Sequence, residues 1–421
     1  MYEKTVLDNG LRVVSSTMPH TRSVCITIFV GAGSRYEPDD EAGISHFLEH
    51  LCFKGTARRP SSKDISETID GIGGLLNGGT DKELMVYWVK VARHHFPLAL
   101  DLLVDMLRNS KLDPVEMENE RRVIIEELNM CVDSPQTRVD QLIDDLLWPG
   151  QPLGRDVAGT KETVSTITRD MMVDYISKHF VPGNAVVGIA GNISHEEVVS
   201  AVDAFLGDWA DGPAAQWYPA HNEQHEPRLK VERRKTEQVN FCLAVRGLSQ
   251  THPDRYILNL INLVLGEGMS SRLFLEIRER LGLAYDVHSM VTFFHDSGSL
   301  NVCAGVAPKM VEDTVAAVVG ELAKMKDTLV SNAEFTKAKE QGKGRLLLRM
   351  EDTRNVVGWV GGQELLTNHI RTVDDVISTV DAITPEDLQR VARDVFRTER
   401  LSLALVGPYS RESRLKRILK L

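Results

Sequence analysis

Residues 43–53 read Gly43-Ile44-Ser45-His46-Phe47-Leu48-Glu49-His50-Leu51-Cys52-Phe53. Wound as a helix at roughly 100° per residue, this stretch puts Ile44, Phe47, Leu48 and Leu51 on one apolar stripe and His46, Glu49 and His50 on the opposite side. Two imidazoles at i and i+4 can reach one metal ion. The carboxylate beside them lies where it can act on a water at that ion, in the H-x-x-E-H order that inverts H-E-x-x-H. The alternative reading is a solvated helix face that carries two His and a Glu.

A catalytic zinc site normally takes three protein ligands, so a third must come from elsewhere. A second helix is announced near Pro114, where Asp113 can cap, Pro114 stands at the first helical position and Glu116 follows three residues after the cap. It is expected to run to about Cys131 and contains Glu120-Arg121-Arg122-Val123-Ile124-Ile125-Glu126-Glu127-Leu128. On a helical wheel Val123, Ile124, Leu128 and Cys131 centre one face, Glu127 and Glu120 fall near it, and Glu126 points away. A carboxylate on a buried stripe is costly unless paired or bound to metal, which selects Glu127 over Glu126. The competing reading is an ion network of Glu120 and Glu127 with Arg121 or Arg122.

Strand and helix periods recur in the same order in two halves. Val24 to Val30 leads through Gly-rich residues into the motif helix, then comes an apolar strand, Met85 to Val91, and an amphipathic helix, Phe96 to Leu107. Val239 to Val245 leads into a helix around Tyr256 to Leu265, followed by Leu300 to Val306 and Met310 to Met325. Between Gly207 and Pro227 the apolar period lapses among Gly212, Pro213, Pro219, Asn222 and Pro227. The expected division is therefore a metal-binding domain over 1–210, a linker over 211–227 and a duplicated metal-free domain over 228–421. The expected class is α+β, each domain a mainly antiparallel mixed sheet covered by helices.

The chain has 421 residues, 42% hydrophobic and 26% charged, which suits two or three globular domains and excludes disorder and collagen. With 49 Lys+Arg against 60 Asp+Glu the formal charge is −11, so no basic field draws it to nucleic acid. Cys25, Cys52, Cys131, Cys242 and Cys303 show no C-x-x-C spacing and are expected as buried thiols in a reducing compartment. Neither a signal-like start nor a membrane-spanning apolar run occurs, and the expected setting is cytoplasmic, away from membranes. Gly71-Ile72-Gly73-Gly74 and Gly266-Glu267-Gly268 lack the Lys-Ser/Thr that a phosphate-binding P-loop requires.

His46-Phe47-Leu48-Glu49-His50 with Glu127 in Glu-Arg-Arg-Val-Ile-Ile-Glu-Glu resembles the pitrilysin/insulysin metallopeptidases, the inverzincins, and the length resembles their mitochondrial-processing-peptidase-like branch. Leu7 to Val13, Gly31 to Glu37, Gly73 to Asn77 with Thr80 and Glu83, Ser270 to Phe274, and Arg278 to Tyr285 look like further parts of the same pattern. The resemblance implies a zinc endopeptidase acting on short or unfolded polypeptides. It implies that His46, His50 and Glu127 bind one Zn²⁺ per chain, that Glu49 is the general base, and that Glu120 supports the ligands. It also implies that Arg278 and Tyr285 hold the substrate carbonyl, and that Asn77 and Gly78 lie on an edge strand to which peptides add. The family usually has Ala after this Asn; Gly78-Gly79 is expected to loosen or bulge the strand.

The second half reads Asn259-Leu260-Ile261-Asn262-Leu263-Val264-Leu265-Gly266 where the motif helix would recur, so no zinc site of this type forms there. The resemblance implies two chains closing a chamber, hence a homodimer. The rival expectation is a catalytically silent scaffold, or a subunit that needs a different partner chain.

Overall fold

The computed structural model describes residues 2–421. Among the described residues eleven strands form two sheets: β1 (Glu3–Val6), β2 (Arg12–Thr17), β3 (Ser23–Val30), β4 (Leu75–Thr80), β5 (Met85–Ala92) and β6 (Ala185–Gly191), then β7 (Arg228–Arg233), β8 (Val239–Arg246), β9 (Ala284–Phe293), β10 (Gly298–Val306) and β11 (Ser402–Gly407). The first sheet runs β1-β2-β6-β3-β5-β4 and the second β7-β11-β8-β10-β9. In each, one parallel pair (β2 with β6; β7 with β11) continues into antiparallel pairs. Apart from the added β1, strand order and direction are the same in both, so the rhyme in the sequence is a repeated topology and the class is α+β.

The chain forms two compact units. The first contains residues through Leu128, Asp156–Tyr218 and Leu347–Thr372; the second contains Asn129–Arg155, Pro219–Leu346 and Val373–Leu421. One change of unit, at 218/219, falls within the stretch expected as a linker, but each unit also takes a segment from the other half of the sequence. The physical reason is that both faces of each central sheet are apolar. In β3, Val24, Ile26, Ile28 and Val30 join the core formed with the helices Ile44–Cys52 and Phe96–Asn109, while Cys25 and Phe29 face the other way. A strand buried on both faces needs cover on both. For the first sheet the second cover is the helix Thr353–Thr367, through Val356, Val357 and Val360. For the second sheet the helix Pro135–Leu147 packs Val139, Leu142 and Ile143 against Cys242, Ala244, Ala404 and Val406.

The helix Thr353–Thr367 lies unusually close to its sheet. A Cβ on Gly361 would stand 2.2 Å from the Phe29 ring, and one on Gly188 of β6 would stand 2.7 Å from Val357. Gly361→Val is expected to destabilise the first unit by about 1–3 kcal/mol through overpacking, read as a lower urea midpoint. An unchanged midpoint would show that Phe29 swings aside at no cost.

Elements start and stop close to the expected residues, the helix Pro114–Asp133 among them, with Asp113 Oδ1 accepting from the N–H of Val115 and Glu116. All five cysteines are free, but Cys131 and Cys303 are half-buried instead of buried. No helix among the described residues is long and apolar enough to cross a membrane.

Candidate active site

The helix Ile44–Cys52 is fixed from its N-terminus. Glu37, fully buried, accepts from the N–H of Gly43 (2.8 Å) and Ser45 (2.9 Å) and from Ser45 Oγ (2.5 Å). A carboxylate there satisfies helix N–H groups that have no intrahelical partner and meets the positive end of the helix dipole. Ser45 Oγ also lies 2.7 Å from the Tyr175 hydroxyl, which accepts from the Gly33 N–H. Gly33 has φ 141° and its Cβ would strike the Asp81 carbonyl at 2.2 Å, so glycine is required where the chain leaves β3. Sequence reasoning gave Glu37 no role. It stands too far before the helix to match a capping box, and only the turn through Gly43 (φ 95°) folds it back.

Ile44, Phe47, Leu48 and Leu51 are buried as the stripe predicts, leaving His46, Glu49 and His50 on the open side. Glu49 Oε2 accepts from Thr80 Oγ1 at 2.6 Å, and burial holds the Glu49 carboxyl above its ordinary pKa. Thr80 ends β4, the edge strand. The expected bulge at Gly78-Gly79 is absent, since β4 pairs with β5 in unbroken register from Leu75 to Thr80. Gly78 answers instead to close approach: a Cβ there would stand 3.0 Å from the Phe53 ring and 3.3 Å from Glu49 Cγ. Asn77 is exposed, and its Oδ1 accepts from the Gly78 N–H.

The helix Pro114–Asp133 supplies two carboxylates. Glu127 Oε2 lies 3.8 Å from His46 Nε2 and 3.7 Å from His50 Nε2. Glu120 Oε2 accepts from His50 Nδ1 at 3.0 Å, and its Oε1 pairs with Lys54 Nζ at 2.6 Å. With Nδ1 donating, His50 presents a lone pair at Nε2. The buried face of this helix is Met117, Glu120, Ile124 and Leu128; Val123, expected inside, is exposed, and Glu127 flanks the buried face with a side chain 42% exposed. Arg121 pairs with Glu118 and Arg122 with Asn119, so the alternative network of arginines with Glu120 and Glu127 does not form.

These donors suit a zinc-class ion. One atom each from His46, His50 and Glu127 lie within 4.8 Å of one another, two nitrogens and one carboxylate oxygen. Burial, then the neighbouring His50, lowers the His46 pKa to about 4, so its ring is neutral near pH 7, and its Nδ1 is buried with no hydrogen-bond partner. In the second unit Arg278 lies on a π-helical turn, Phe274–Arg280, with its guanidinium 4.7 Å from the Phe274 ring centre and 4.8 Å from that of Tyr285. Tyr285 is 78% exposed at the start of β9. The two signature side chains thus stand together there.

Two family profiles match: Insulinase (Peptidase family M16) over residues 12–161, and Peptidase M16 inactive domain over residues 166–341. The first match contains His46, Glu49, His50, Glu120 and Glu127, and the second contains Arg278 and Tyr285. Among relatives, an uncharacterized zinc protease of Streptomyces coelicolor is 38% identical, covering 96% of this chain and 89% of its own. The uncharacterized zinc protease YmxG of Bacillus subtilis is 36% identical, covering 97% and 98%. Among solved structures, a protease from Helicobacter pylori superposes with a TM-score of 0.92 at 23% identity, covering 97% of this chain and 100% of that one, a likeness of fold.

Proposed function

This chain belongs to peptidase family M16, and from that premise we propose that it is a zinc-dependent endopeptidase hydrolysing short or unfolded polypeptides. The observation that carries the reading is the convergence of His46, His50 and Glu127 donor atoms beside a Glu49 carboxylate that is not one of them. Zn²⁺ held by those three residues would lower the pKa of a water toward neutrality and polarise the scissile carbonyl. Glu49 takes the proton of the attacking water and returns it to the leaving amine. Glu120 fixes the His50 ring and its tautomer. Arg278 and Tyr285 are assigned to the substrate carbonyl, where a cation and a hydroxyl stabilise developing negative charge.

Edge strand β4 supports main-chain pairing with an extended peptide through the segment of Asn77 and Gly78, a mode that tolerates many side chains. The active species is proposed to be a homodimer with one zinc per chain at this site. Sedimentation showing a strictly monomeric active species would remove that part of the proposal.

The test is cleavage of a mixture of short unstructured peptides by the purified protein before chelation, after it, and after zinc is restored. Loss and recovery of cleavage with zinc are expected. Protein that holds zinc at this site and cuts nothing would favour a silent scaffold or a subunit lacking its partner chain. Glu120→Ala is expected to weaken zinc binding about 10–100-fold, measured by competition with a chromogenic chelator. Unaltered affinity would reduce Glu120 to a partner of Lys54.

A further inference from the structure

The second unit carries another cluster of ligating side chains. Cys303 of β10 pairs directly with Cys242 of β8 on one side and with His288 of β9 on the other, so the three occupy one rung of the sheet. Directly paired residues project from the same face. That face is covered by the helix Pro135–Leu147, whose Val139 and Leu142 share a core cluster with Cys242 and bring in Cys303. The same helix contributes Asp140, with Oδ1 3.9 Å from Cys303 Sγ, and the two sulfurs are 2.9 Å apart. Donor atoms of Asp140, Cys242 and Cys303 all lie within 4.8 Å of one another. A small cleft of about 50 Å³ opens onto Asp140, His288 and Cys303.

His288 stands on the same rung and lines the same cleft, outside the three donors that already lie within 4.8 Å of one another. Its Nδ1 lies 3.0 Å from Asp286 Oδ2, and a carboxylate behind one ring nitrogen is the usual support of an imidazole that ligates through the other. We propose that Asp140, Cys242, His288 and Cys303 form a second metal site, selective for a borderline-soft d¹⁰ divalent cation such as Zn²⁺ or Cd²⁺. Two thiolates, an imidazole and a carboxylate make a closed four-coordinate set, the mark of a structural site, and sulfur excludes Mg²⁺ and Ca²⁺ as preferred ions. The site departs from the expectation that the second half binds no metal, which concerned the missing H-x-x-E-H.

The electrostatics fit a cation. Burial raises the Cys242 pKa well above the ordinary thiol value, and desolvation with the neighbouring Asp144 raises that of Asp140. Without added positive charge the Cys242 thiol is held protonated, which makes it a slow partner for oxidants. A divalent ion displaces those protons and compensates the charge. It would also tie the helix Pro135–Leu147 to the sheet at a point where Cys242 and Ala244 leave only small side chains beneath it.

Co²⁺ loading of the full-length chain after chelation separates the two sites. The His46, His50 and Glu127 set contains no sulfur, so a thiolate-to-cobalt charge-transfer band in the near ultraviolet reports only the second site. Wild type should show that band and bind two equivalents of Zn²⁺. Cys303→Ala and Asp140→Asn should lose the band or weaken it while keeping the first equivalent. The double variant His46→Ala with His50→Ala should keep the band, and Asp286→Asn should weaken Zn²⁺ binding at this site about 10–100-fold. A single equivalent with no band in wild type would overturn the proposal. So would a titration of the denatured protein, with chelator present and no reductant, that finds two fewer than the five thiols of the sequence, since Cys242 and Cys303, with sulfurs 2.9 Å apart, are the pair placed to form a disulfide.

Discussion

Glu49→Gln is expected to lower kcat/KM for peptide cleavage about 10²–10⁴-fold, the range of a lost general base, while zinc content stays at the wild-type level. The two readouts separate because Glu49 is not in the donor set of His46, His50 and Glu127. Gln is nearly isosteric and can still accept the hydrogen bond from Thr80 Oγ1 through its amide oxygen, so the helix Ile44–Cys52 keeps its place. Burial disfavours the Glu49 carboxylate in the native site, so the neutral amide leaves stability equal or slightly higher. Activity within about tenfold of wild type would remove Glu49 from the base role. Loss of zinc together with activity would make it a ligand.

Cutting the chain once after residue 210 is expected to yield an insoluble product, or a loose state that binds hydrophobic dyes, in place of a folded domain. Residues 347–372 belong to the first unit, and without them the face formed by Val14, Cys25, Phe29, Trp88, Val186 and Ala190 loses Val356, Val357 and Val360. At roughly 1.5–3 kcal/mol for each large side chain returned to water, the loss is of order 10 kcal/mol. That equals the whole stability of a typical domain, about 5–15 kcal/mol. Joining 1–128, 156–218 and 347–372 by flexible linkers should restore a cooperative transition. A folded, soluble 1–210 fragment would show that the helix Thr353–Thr367 is dispensable cover.

Much of this was legible in local pattern. The alternation in Val24–Val30 and Val239–Val245, the stripe opposite His46 and His50, and the Asp113 cap each concern residues a few positions apart, where the period of the backbone decides. The helices Pro135–Leu147 and Thr353–Thr367 were not legible as exchanged covers, because an amphipathic stripe says that a helix is buried and not beneath which sheet. Glu127 emerged from the helical wheel although the wheel put the centre of the face too close to Val123; the true centre, through Glu120 and Ile124, is set by what the helix meets in space. Gly78 invited a reading of looseness because a missing side chain looks the same whether the ladder is weak or a neighbour is near, and only Phe53 and Glu49 decide between them. Glu37 and Thr80 stand within or beside stretches that resemble the family pattern, but no local period gives either a role, since their partners come from other elements.

The exchange of covering helices also sets a timetable for synthesis. The last strand of the first sheet ends at Gly191, but the helix that seals its second face begins at Thr353. At about 5–20 residues per second, a ribosome takes roughly 10–30 s to make the intervening stretch. Throughout that interval Phe29, Trp88 and their neighbours have no native cover, which leaves an apolar sheet face exposed to aggregation. The first half emerges first and is sealed only after most of the second half has been made.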